Sequence, residues 1–268
     1  MQIEEHAKKI LVESLMSVDA LVERLVRLGV PTPGSRLARD DDATTPFDLS
    51  HAFTHSLRGA TDHLLSLRDL LTALRANSPF TLLRSAIENA AEALWLVAPD
   101  DRRERITRRL RIANADAKDQ AEVMARIRGE SLADAWLAEK KARLAALAAT
   151  AGLPTGEPLG APASWRSIVN AADECLVASG RTRNVDARLV WNAGSGFAHA
   201  RLWATLELLE RGAQVDLARP DAVRVELSSS YNALALFSDV TVCVCDLALS
   251  RAERLSRVWS GTGPDVEH

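Results

Sequence analysis

Arg84, Glu88 and Trp95 recur at helical spacing, so on a helix they fall along one line. That line borders an apolar stripe of Leu83, Ile87, Ala91 and Leu94, which places the polar groups at the edge of a core. A guanidinium held by a carboxylate at such an edge can meet a phosphate or a carboxyl ligand. The same pair can equally be an ion pair that ties helices together.

Histidine supplies a second set. His51 and His55 share one helix face, and His63 lies two turns beyond His55 on nearly the same face. Two such histidines can hold one metal, and Asp48, Asp62 or the distant His199 are the available further ligands. No Glu follows His51 in the metalloprotease pattern, so the plainer reading makes His51 and His55 exposed polar residues, and no metal or other cofactor is favoured. His63 stands between Asp62 and Leu64, nearer a core, where a histidine serves as a hydrogen-bonding group.

His199 follows the Gly194-Ser195-Gly196 segment, which reads as a turn with Ser195 capping the next helix and Trp203 one turn on. An imidazole in that first turn can act as a general base, with Glu88 as its partner, or can contact an anion or cap a helix. A nucleophile elbow would need a strand before Ser195, and none is expected. Arg102, Arg103, Arg105, Arg108, Arg109 and Arg111 form a further run beside Ile106, Leu110 and Ala113. It can meet RNA or phosphate, but Glu104, the net charge of -3 and the lack of interleaved aromatics favour a solvated face.

The elements that must position these residues are helical. Apolar periodicity predicts helices over 3–28, 48–76, 78–97, from 102 onward, 131–152, 164–180, from Ser195 onward and 229–259. A short segment is expected over 189–192. Pro79 suits the first position of the helix that Ser78 opens. The polar run 35–45, with three consecutive aspartates, reads as an exposed loop, and 154–162 as a Pro/Gly linker. Val215, Leu217, Val223 and Val225 alternate around Arg219 and Pro220. The expected fold is all-α, a multi-helix bundle of about seven to eight helices with one small β-hairpin near residues 213–227. Residues 1–45 form an N-terminal helix and loop, and 46–268 one helical-bundle domain.

Composition narrows the class. An apolar fraction of 47% over 268 residues supplies a core and excludes wholesale disorder. Three cysteines make no disulfide framework, and the polar N-terminal residues lack a secretory pattern, so a cytoplasmic location is expected. The apolar stretch 233–250 is interrupted by Asp239 and Asp246, which makes it a core helix rather than a membrane span.

Thr81-Leu82-Leu83-Arg84-Ser85-Ala86-Ile87-Glu88, with Ala93-Leu94-Trp95 and Pro99-Asp100-Asp101-Arg102-Arg103, resembles a block found in a group of uncharacterised actinobacterial helical proteins. Ser195-Gly196-Phe197-Ala198-His199 with Trp203, and Asp62-His63-Leu64, resemble two further blocks. That group is similar to the HEPN helical superfamily, which includes toxin ribonucleases, abortive-infection proteins and nucleotidyltransferase partner subunits. The resemblance implies a helical bundle, a homodimer, and a polar centre at Arg84, Glu88 and His199. Its nuclease members carry an arginine four to six residues before the histidine, where this chain has Ala193, Gly194 and Ser195. A noncatalytic binding or defence-associated role is therefore implied.

The expected function is binding or regulation, with Arg84, Glu88, His63 and His199 converging in an interhelical pocket beside Asp62, walled by Trp95, Trp191 and Trp203. The ligand would be a small anionic or nucleotide-like molecule. The alternative is a helical-bundle hydrolase or transferase, either metal-dependent through His51 and His55 or acid–base through Glu88, His63 and His199.

Overall fold

Long apolar stripes at helical spacing become long helices. The computed structural model describes residues 2–72, 75–153, 160, 163–216 and 223–258. Among them lie ten helices and one hairpin: α1 (Gln2–Leu28), α2 (Arg36–Thr44), α3 (Leu49–Leu70), α4 (Ser78–Val97), α5 (Arg102–Arg128), α6 (Glu130–Thr150), α7 (Trp165–Ala178), α8 (Ala187–Ala198), α9 (Leu202–Leu208), β1 (Leu209–Asp216), β2 (Val223–Ser229) and α10 (Tyr231–Leu255). The linker expected over 154–162, apart from Gly160, lies outside the described residues, as do the hairpin tip and the end of the chain after Val258.

The chain forms two compact units that interleave along the sequence. The first comprises Met1–Val26, Phe53–Trp95 and Ala163–Leu249; the second comprises Arg27–Ala52, Leu96–Pro162 and Ser250–His268.

In the first unit the α1 stripe of Leu11, Leu15 and Val18 is buried, as are Leu57, Leu64 and Leu67 of α3 and Leu83, Ile87 and Leu94 of α4. Helix α10 is long and apolar enough to cross a membrane, but 67% of its most apolar window is buried inside the protein. Its apolarity serves the core, through Leu234, Val240, Val244 and Ala248. Phe80 of α4 stacks on Phe197 of α8 at 4.2 Å and meets Phe237 of α10 edge-on at 6.0 Å. Strands β1 and β2 pair antiparallel, with an irregularity between Arg211 and Gln214. Ser229 anchors the hairpin by donating to the carbonyls of Arg75 and Ala76.

The second unit is built on an α5–α6 hairpin, turned by Gly129 at a φ of 100°. Ile106, Leu110, Leu144, Ala148 and Leu153 form its core, with Phe47 packed against it. Here the run 35–45 departs from the exposed loop expected of it. Ser35 caps α2 by accepting from the Ala38 N–H, and Leu37, Asp40 and Thr44 are buried. Polar residues could turn inward because arginines meet them. Arg105, 1% exposed, donates Nε to Asp40 Oδ2 at 2.6 Å and Nη1 to the carbonyls of Pro99 and Asp100. Asp41 accepts from both the N–H and the hydroxyl of Ser50. Arg109, also buried, donates to the carbonyls of Phe47 and Asp48.

The basic run of α5 is thus not the solvated face that was expected. Arg102 and Arg103 are exposed, whereas Arg105 and Arg109 hold the second unit together from inside.

The Gly194-Ser195-Gly196 segment corrects a second expectation. It is no turn, because α8 runs unbroken through it and ends at His199, and the true break comes at Ala200, with a φ of 50°. With α2, the regrouping of this region into α8 and α9 makes ten helices instead of seven to eight.

Candidate functional site

Helices α4 and α8 run antiparallel, and the contact is read off three residues of each. Trp191 Nε1 donates to Glu88 Oε1 at 2.7 Å; one turn on, Gly194 sits against Arg84; one turn further, Phe197 stacks on Phe80. A methyl group at Gly194 would lie 2.5 Å from Arg84 Cβ and 2.7 Å from the Phe80 carbonyl oxygen. Glycine is retained inside the helix because only a hydrogen fits there. Arg84 donates Nε to the same Glu88 oxygen at 3.2 Å, with side-chain exposures of 26% and 16% for the pair.

Helix α3 covers the next face of α4. Ser56 donates to Glu92 Oε1 at 2.7 Å, and Gly59 lies against the Asn89 side chain. That register carries His63, one turn beyond Gly59, past the Glu88 level.

Of the residues expected to converge, the fold brings Arg84, Glu88 and Trp191 into one hydrogen-bonded group. His63 is half-buried and Asp62 exposed on α3, and Trp95 is buried two turns beyond Glu88 on α4. Trp203, on α9, lies over Gly196. His199 is exposed at the C-terminal end of α8, the end opposite to the one expected for it. It stands about 12 Å along the helix from Trp191, at 1.5 Å per residue, so the acid–base pairing with Glu88 finds no support in the placement of either residue. Ser195 caps no helix; its hydroxyl is buried with no hydrogen-bond partner among the described residues. His51 and His55 are exposed on α3, and the described residues contain no group of three His, Cys, Asp or Glu that could hold a metal.

A second polar centre, not foreseen from the sequence, lies in the same unit. Asp239, Cys243 and Asp246 follow one another at helical spacing on α10, so two carboxyls flank a thiol along one stripe of an apolar helix. Opposite them stands the segment after α7. Gly180, at a φ of 67°, lets the Arg181 N–H return to the Leu176 carbonyl, which fixes where Arg181 and Arg183 emerge. Helix α1 contributes Arg24. Arg24 and Arg181 each donate to a different oxygen of Asp246, and Arg183 Nε pairs with Asp239 Oδ2 at 2.9 Å. These groups line a cleft of about 410 Å³ together with Leu21 and Val242.

Burial opposes ionisation of Asp246, but the hydrogen bonds from Arg24 and Arg181 outweigh it and hold the carboxyl below its ordinary value. Burial pushes the Cys243 thiol up, so it lines the cleft as a small apolar group rather than as a nucleophile. The α10 aspartates read in the sequence as interruptions of an apolar helix. Their spacing was the available signal; their partner Arg24, 222 residues from Asp246, was not.

Compared with protein-family models, curated proteins and solved structures, the chain matches none. The functional reading rests on its own residues.

Proposed function

We propose that this chain is a HEPN-like helical binding protein with a regulatory, defence-associated role, and that its small anionic ligand enters the cleft of Arg24, Arg181 and Arg183. The observation that carries the reading is the meeting of three guanidiniums from two separate segments, α1 and the stretch after α7, around one cleft large enough for a small molecule. Guanidiniums are always charged and present their donors in a rigid fork, which suits carboxylate and phosphate oxygens alike. Asp239 and Asp246 hold the arginines in place before a ligand arrives, which lowers the ordering cost of binding.

In this reading the Arg84–Glu88–Trp191 group is an anchor that locks α8 onto α4, and the ligand-facing arginines are those of the cleft. The protein acts in the cytoplasm as a homodimer, which native mass spectrometry checks directly.

Thermal unfolding with small carboxylates, inorganic phosphate and AMP, each against chloride at matched ionic strength, tests the cleft. At least one of these anions should raise the midpoint, as any ligand of the folded state does. The combined Arg181→Gln and Arg183→Gln variant should lose that rise. A rise that persists in the variant, or none in the natural chain, overturns the reading.

A further inference from the structure

The β1–β2 hairpin has two outer edges, and among the described residues no third strand joins either. A two-stranded ribbon is marginally stable by itself. Its edges offer rows of unpaired N–H and C=O groups to any strand that can register with them.

The two edges differ. Strand β1 is interrupted where Gly212 and Ala213 together stand against Glu226, and such a bulge twists an edge out of further pairing. Strand β2, Val-Arg-Val-Glu-Leu-Ser-Ser, has no extra residue and no proline to remove a donor. Among the described residues its backbone bonds to no segment other than β1.

Alternation along β2 assigns Val223, Val225 and Leu227 to one face and Arg224 and Glu226 to the other. Val225 and Leu227 are half-buried, whereas Glu226 is exposed. That order is self-complementary about a two-fold axis. With Val225 opposite Val225 of a second copy, antiparallel pairing sets Arg224 of each chain opposite Glu226 of the other, and Val223 opposite Leu227. A slip of two residues either way sets Glu226 on Glu226 or Arg224 on Arg224. A slip of one sets the charged positions against the apolar ones. Charge and face therefore select the same register. We propose, on the homodimeric reading above, that two copies of this chain join edge to edge through β2, making one four-stranded antiparallel sheet centred on Val225.

Sedimentation equilibrium of the full chain and of two charge-reversal variants tests the register. The natural chain should dimerise. Glu226→Arg sets arginine against arginine across the axis, and Arg224→Glu sets glutamate against glutamate. Each variant alone should raise the dimer dissociation constant about tenfold or more. An equimolar mixture of the two restores both opposite-charge pairs and should dimerise as tightly as the natural chain, which also shows that both variants fold. A natural chain that stays monomeric at every concentration overturns the homodimer and the β2 contact together. A dimer that persists in either variant alone, or a mixture that stays monomeric, leaves the natural homodimer standing and overturns the β2 contact.

Discussion

Gly194 decides how closely α8 approaches α4, because the Phe80 carbonyl in its path is backbone and cannot swing aside. Gly194→Ala would gain about 1 kcal/mol of helix propensity. Against this stands an overpacking cost of about 1–3 kcal/mol, at the high end here since two atoms lie within 2.7 Å of the new methyl. The variant should therefore unfold at lower denaturant and lose the Trp191–Glu88 hydrogen bond, which tryptophan fluorescence reports. Its neighbour behaves oppositely. Ser195→Ala removes a buried hydroxyl that has no partner among the described residues, so its stability should equal or slightly exceed that of the natural chain. A denaturation midpoint that falls as far for Ser195→Ala as for Gly194→Ala would show that the hydroxyl is held after all.

At the scale of elements, α2 depends on Asp40, which pairs with Arg105 and Arg102. Burial pushes the Asp40 carboxyl up, while Arg105 and Arg102 pull it back, and both Asp40 and Arg105 are shut away from water. Asp40→Asn leaves the Arg105 charge buried without its counter-ion, which costs about 3–5 kcal/mol. That is a large share of the 5–15 kcal/mol, roughly, that holds a domain together. Urea unfolding should show the loss, and a change below about 1 kcal/mol would mean that Arg105 finds water or another acceptor. The three-aspartate run concealed this helix because local composition reports polarity, not the partner that neutralises it. Helices α1, α3, α4, α5 and α10 were legible, since each carries its own apolar stripe. The trio of Arg84, Glu88 and Trp191 was half legible: spacing of four paired the first two, while Trp191 reaches Glu88 only through a crossing that depends on Gly194. The cleft was not legible, because Arg24, Arg181 and Asp246 come from three distant stretches.

For the molecule as a whole, the Asp246 centre makes stability depend on pH. Its carboxyl is held below the unfolded value of about 4. The stabilisation is therefore fully present above that pH and is lost as pH falls through the lower, folded value. Unfolding free energy followed from neutral pH into the acid range should drop more steeply for the natural chain than for Asp246→Asn. Equal slopes would show that Arg24 and Arg181 do not favour the ionised carboxylate. The division into interleaved units bears on how the chain comes into being. The ribosome delivers α1, with Leu11, Leu15 and Val18 uncovered, long before α10 exists to receive Arg24. The 222 residues between Arg24 and Asp246 take about 10–40 s to synthesise at usual rates. Throughout that interval the nascent first unit is an incomplete core whose apolar α1 stripe awaits its late partners.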